Sequence, residues 1–153
     1  MENRMKPEKK KPSASQRPYR LRPLSKSTEA KKREYKKVCD KMDHDTLMKY
    51  DMIRCRACGK LLRTWDRQID IMDHSHLLPK STFPQYETDP GNIFHLCRKC
   101  HEALDRNDFN RIRNFRHLPE MMQYLWLHEK GEYNKYVMGL QLPEYQVYIE
   151  PDK

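Results

Sequence analysis

Four of the five cysteines form two pairs, Cys55/Cys58 in "CRACG" and Cys97/Cys100 in "LCRKCH", with 38 residues between the pairs. A CxxC turn offers two thiolates from one tight bend, so two such turns complete the tetrahedral sulfur set that zinc prefers. Gly59, directly after the first pair, suits the turn. Four thiolates leave no position for a substrate, so such a zinc would hold the fold together and catalysis would need a second metal. A disulfide framework fits less well, because Cys39 would lack a partner and a reducing interior keeps thiols free.

Histidines surround these pairs. The stretch "IDIMDHSHLLPKS" places Asp73 ahead of His74 and His76 two positions on, and His101 directly follows Cys100. A histidine that is neutral near pH 7 can accept a proton from water, and a carboxylate or imidazole can hold a divalent cation. On an extended strand His74 and His76 project to one face, and Asp73 and Ser75 to the other.

Taken with "GNIFHLCRKCHEALD", these runs resemble the HNH endonucleases. In that family a CxxC is followed by a histidine, an apolar pair and a proline, and then by an asparagine and apolar residues before "LCxxCH". The likeness covers about residues 52 to 107. It implies a ββα-metal fold of treble-clef zinc type, with zinc on Cys55, Cys58, Cys97 and Cys100. It further implies His76 as general base, Asn92 as the residue that orients the base or its strand, and His101 as ligand of a catalytic magnesium or manganese. Asp105, four residues further along the helix, joins His101 as a second candidate ligand. Much of the family carries a ligand directly before the base, where this chain has Ser75. A competing register answers that departure. "DHSH" resembles the DHxH run of phage recombination endonucleases, which makes Asp73 the ligand and His74 the base. The two registers stand side by side, with His76 preferred.

The elements that must position these groups can be read around them. Residues 1 to 26 hold four prolines, many lysines and almost nothing to bury, and are expected to form a disordered basic arm. A helical lead-in occupies 27 to 50, with a cap at Ser27 to Glu29. A helix from about Glu29 to Lys41 would set Tyr35, Val38, Cys39 and Met42 on one packing face. The metal-binding domain spans 51 to 110, its first CxxC leading into a strand or hairpin. "STFPQYETDPGN" reads as a loop, and a helix starts near Cys97. A helical extension fills 111 to 153, where Met121, Tyr124, Leu125 and His128 recur at helical spacing after Pro119, and Tyr124 and Trp126 are core candidates. Cys39 is expected as a buried thiol, and His95 and His117 as packed or hydrogen-bonded residues. The fold class is therefore α+β.

Charge points to a polyanionic partner. The first 37 residues hold 14 Lys and Arg against four Glu, so the surplus of +9 belongs to this segment and the remainder is close to neutral. Such an arm neutralises phosphates and makes binding salt-dependent. DNA is the expected partner, with RNA or a phage protein complex as further options, and Arg63, Arg67, Lys80, Arg98 and Lys99 are expected to track the backbone. No run approaches a membrane span and no apolar signal segment opens the chain, so a soluble, cytoplasmic protein inside a host cell is expected. Two functions follow: a metal-dependent DNA endonuclease of phage or mobile-element type, or a zinc-stapled adaptor that binds nucleic acid without cutting it.

Overall fold

A computed structural model describes residues 26 to 149. The expected arm at 1 to 26 therefore lies outside the described residues but for Lys26. The described residues form a mixed α+β structure of five helices and two small two-stranded sheets.

Helix α1 (Lys26–Tyr50) starts ahead of the expected cap at Ser27 to Glu29 and runs on past Lys41 to the end of the lead-in. It buries Cys39, Asp43 and Leu47 and half-buries Tyr35, Val38, Met42 and Thr46, a stripe at three- and four-residue spacing. The stripe includes a carboxylate, which apolar periodicity does not count. On the solvent face Lys36 pairs with Asp40 and Lys41 with Asp45 at i, i+4, which keeps a polar surface compatible with the helix.

Strands β1 (Met52–Arg54) and β2 (Leu61–Thr64) pair antiparallel, with a register shift between Ile53 and Arg54. Ile53 and Leu62 are fully buried. The first CxxC lies in the connection between these strands. Cys55 N–H donates to Lys60 O at 2.8 Å, Gly59 N–H donates to Cys55 O at 2.8 Å, and Gly59 adopts φ +81°, a left-handed conformation that a side chain would strain.

Strands β3 (Met72–His76) and β4 (Ile93–Cys97) form the second sheet. Their antiparallel register runs from Met72 opposite Cys97 to His76 opposite Ile93, with His74 opposite His95. The connection between them, expected as a loop, carries two short 3₁₀ turns, Pro84–Tyr86 and Pro90–Asn92. Asp89 secures the second turn: one oxygen accepts from Gly91 N–H at 2.8 Å and the other from the Tyr124 hydroxyl at 2.6 Å. The chain passes from β4 directly into α2 (Arg98–Asp105), so Cys97 ends the strand and caps the helix.

Helices α3 (Phe109–Ile112), α4 (Leu118–His128) and α5 (Lys130–Leu140) close the core from below. The single C-terminal helix read from the sequence is in fact two, broken at Glu129, whose φ of −141° and ψ of 89° are extended. The break folds Tyr133, Tyr136, Val137 and Leu140 back onto the core, where a straight helix would carry them away from it. Trp126, expected in the core, is 40% exposed. Its ring lies against Tyr133 and Tyr148 with Lys130 Nζ over its face at 3.4 Å, an amphipathic stack on the surface. No helix among the described residues is long and apolar enough to cross a membrane.

His117 is 2% exposed between Phe94 and Phe115, and neither ring nitrogen has a hydrogen-bond partner. Burial, assisted by the Arg56 cation, lowers its pKa from 6.5 to about 4. The unfolded chain protonates this ring near pH 6.5 and the folded chain only near pH 4. Stability is therefore complete above pH 6.5 and lost progressively as the pH falls to 4, by about 3 kcal/mol from this group. Urea unfolding at pH 7 and pH 4.5 should show His117→Leu losing about 2 kcal/mol less than the natural chain on acidification. An equal loss in both proteins would contradict the assignment.

Candidate metal centres

The two CxxC turns meet because backbone bonds dock the first onto the second sheet. Arg56 N–H donates to His95 O at 2.9 Å, and Arg116 N–H donates to Ala57 O at 3.0 Å. Their effect is to bring the four sulfurs of Cys55, Cys58, Cys97 and Cys100 within 4.8 Å of one another. The Cys58 to Cys97 separation is 3.9 Å, close to the edge of about 3.8 Å expected for a tetrahedron with 2.3 Å zinc–sulfur bonds. Burial pushes the Cys55 and Cys100 thiols up, and at Cys100 the neighbouring thiolates add to that rise. Four thiolates so close together ionise jointly only around a cation, so the donor set fits a metal such as zinc. Cys39 stands apart, buried on α1 beside Tyr35.

Asn92 is 0% exposed and uses its whole amide. Oδ1 accepts from Leu78 N–H at 2.7 Å, while Nδ2 donates to Leu78 O at 3.0 Å and to Tyr86 O at 3.1 Å. Leu77 N–H adds a bond to the Asn92 carbonyl at 2.9 Å. One side chain thus fixes the path of the chain as it leaves β3, two residues beyond His76.

His76 sits at the end of β3. Its Nε2 lies 2.9 Å from Glu87 O, and because a carbonyl only accepts, Nε2 carries the proton and Nδ1 keeps its lone pair. The ring stacks on Tyr35 of α1, with centroids 5.3 Å apart and planes at 29°, and Lys80 Nζ lies 5.1 Å from the far ring. Burial is the main force lowering the His76 pKa; Lys80 and His101 lower it further and the Glu87 carbonyl opposes them. The ring is therefore neutral at pH 7 with one nitrogen able to take a proton.

Asp73 and His74 point to opposite sides of the sheet. Asp73 faces α2, where its Oδ1 meets Arg98 at 3.1 Å and its Oδ2 lies 3.3 Å from His101 Nδ1. That Oδ2 is buried and out of line for a hydrogen bond, so an anionic oxygen is left without a donor. A cation between Asp73 and His101 would satisfy it. Asp105, two-thirds exposed, lies 3.3 Å from the other nitrogen of His101, on the side turned away from Asp73. Ser75 is 1% exposed and its hydroxyl is unpartnered, enclosed in the protein.

His74 turns to α1. Its Nε2 lies 2.7 Å from Asp43 Oδ1, the same oxygen that His95 Nε2 meets at 2.8 Å, and its carbonyl accepts from the Tyr35 hydroxyl at 3.2 Å. Arg63 takes the second oxygen of Asp43 at 3.1 Å. Burial opposes ionisation of Asp43, but hydrogen bonds from His74 and His95 outweigh it and hold the carboxyl well below the usual carboxylate range. Sequence reading missed Asp43 altogether, since it lies 30 residues upstream of Asp73 inside a helix, and the cross-strand register that pairs His95 with His74 was the only available signal. Of the basic residues expected to meet a backbone, Lys80 stands beside Tyr35 and Arg98 beside Asp73, Arg67 and Lys99 are exposed, and Arg63 is engaged with Asp43.

Comparison with protein-family models, with curated proteins and with solved structures gives no match for this chain.

Replacing Asn92 by Ala should lower stability by about 3 kcal/mol in chemical denaturation, because two buried backbone groups and one half-buried one lose their partner. A loss under 1 kcal/mol would show that the strand exit does not depend on this amide.

Proposed function

We propose that the protein is a metal-dependent DNA endonuclease of the HNH type that hydrolyses phosphodiester bonds. The observation that carries this reading is the meeting of Asp73 from β3 with His101 from α2 at a buried, donorless carboxylate oxygen, with His76 at the end of the same strand. The antiparallel pair followed at once by a helix, beside a four-cysteine cluster, supports a ββα-metal unit of treble-clef zinc type.

Each side chain then has one task. His76 Nδ1 takes the proton from the attacking water, its tautomer set by Glu87 O and its neutrality by burial. Tyr35 holds the ring in plane, and Asn92 fixes the strand exit that carries it. Asp73 and His101 would hold a divalent cation such as magnesium or manganese, which would offset the charge that develops on the phosphate and the leaving oxygen. Asp105 orients His101 through the nitrogen turned away from Asp73. This assignment joins the two sequence registers: Asp73 replaces the ligand that Ser75 lacks, while His76 and not His74 is the base. Lys80, Arg98 and Lys99, together with the basic segment before α1, are suited to the phosphate backbone. The adaptor reading shares the zinc and the basic arm but leaves the donorless Asp73 oxygen without a purpose.

Plasmid cleavage with magnesium or manganese is the test. His76→Ala should cut at least about 100-fold more slowly, as loss of a general base requires, while His74→Ala stays within about tenfold of the natural chain. Equal losses in the two variants would overturn the assignment of the base, and salt-sensitive binding without cleavage under either metal would favour the adaptor.

A further inference from the structure

We propose that Asp43, His74 and His95 form a second metal site, for a divalent transition ion of the zinc class, that clamps α1 onto the β3–β4 sheet. His74 and His95 are a direct cross-strand pair, so the sheet itself holds the two imidazoles side by side, and α1 lowers Asp43 between them. The three ligand atoms lie within 4.8 Å of one another. Two imidazole nitrogens and one carboxylate oxygen form a borderline donor set that favours zinc, cobalt or nickel over magnesium or calcium.

Geometry brings the set close to a coordination shell. Both Nε2 atoms converge on a single oxygen of Asp43, at 2.7 and 2.8 Å. Ligands of a tetrahedral zinc stand about 3.3 Å apart, so opening by about half an ångström admits the ion. Arg63 holds the other carboxylate oxygen at 3.1 Å, which leaves Oδ1 as the ligating atom and makes Asp43 monodentate. The side chains of His95 and Asp43 are 6% and 11% exposed and that of His74 is 20%, so the fourth position opens on the His74 side, where water can complete the shell.

The site is separate from the other two. It shares no ligand with the four cysteines, and His74 faces away from Asp73 and His101. Its consequence is mechanical. The Tyr35 hydroxyl bonds the His74 carbonyl and its ring stacks on His76, so an ion that ties Asp43 to the sheet also fixes Tyr35 over His76.

The test measures zinc per chain on the full-length protein after dialysis against micromolar zinc, with a thermal melt to confirm folding. Asp43→Asn, which keeps the shape of the side chain, and His74→Ala should each hold one zinc fewer than the natural chain, whereas His101→Ala should keep the ion in question. Loss of that ion from His101→Ala and not from the Asp43 or His74 variants would assign it to the Asp73–His101 pair and overturn the proposal. So would a natural chain with only the zinc of its four cysteines. A spectroscopic reading uses the same variant: cobalt added to protein whose cysteines already hold zinc should give visible ligand-field absorption without a thiolate charge-transfer band in the natural chain, and should lose it in Asp43→Asn. No cobalt spectrum, or one with the thiolate band, would exclude the site, because His74, His95 and Asp43 offer no sulfur.

Discussion

The register between β3 and β4 is the constraint on which the rest depends. A strand alternates its faces with a period of two, so the pairing that sets His74 opposite His95 also decides that Asp73 looks toward α2 and His74 toward α1. A slip of one residue would exchange the two faces, carrying Asp73 away from His101 and a histidine away from Asp43. The same register places Cys97 at the last position of β4, where it caps α2 and presents Cys100 and His101 one turn later. The four-cysteine cluster and the Asp73–His101 pair are thus two readings of one strand-to-helix junction. Burial holds this register, since Ile93, Phe94, His95 and Leu96 are all buried.

Helix α1 supplies what the sheet cannot. By length alone it reaches across the hairpin, and its buried stripe carries Tyr35 and Asp43 two turns apart. Asp43 is a buried carboxylate with three partners, two imidazoles and a guanidinium, and is stable there only because all three are present. Tyr35 touches two histidines in different ways, one through its hydroxyl and one through its ring. The helix is therefore tied to both histidines of the strand from the face opposite Asp73.

Local signals in the chain made part of this legible. The two CxxC turns announced the cysteine cluster, because ligand spacing within a tight turn is a local property. The α+β class, the cap-to-helix transition at Cys97 and the buried thiol of Cys39 could be read for the same reason. What escaped was long-range. Asp43 looked like one more polar residue on an amphipathic helix, and only the docking of α1 reveals it as the partner of His74 and His95. The break at Glu129 has no proline to mark it, and Trp126 has the side chain of a core residue but lies where Lys130 and Tyr148 cover it from outside. The choice between His74 and His76 was also undecidable locally, since alternation puts both on one face. In the structure they differ in their partners: His76, the last residue of the strand, meets Glu87 O, and His74 meets Asp43.

The proposed function rests on Asp73 and His101 being the pair that would hold the catalytic cation. Anomalous scattering from crystals grown with manganese would locate that ion directly. A peak between the Asp73 carboxylate and His101 Nδ1 is the predicted result. Manganese bound beside His74 and His95, with none at Asp73, would rule out that pair as the cation's ligands.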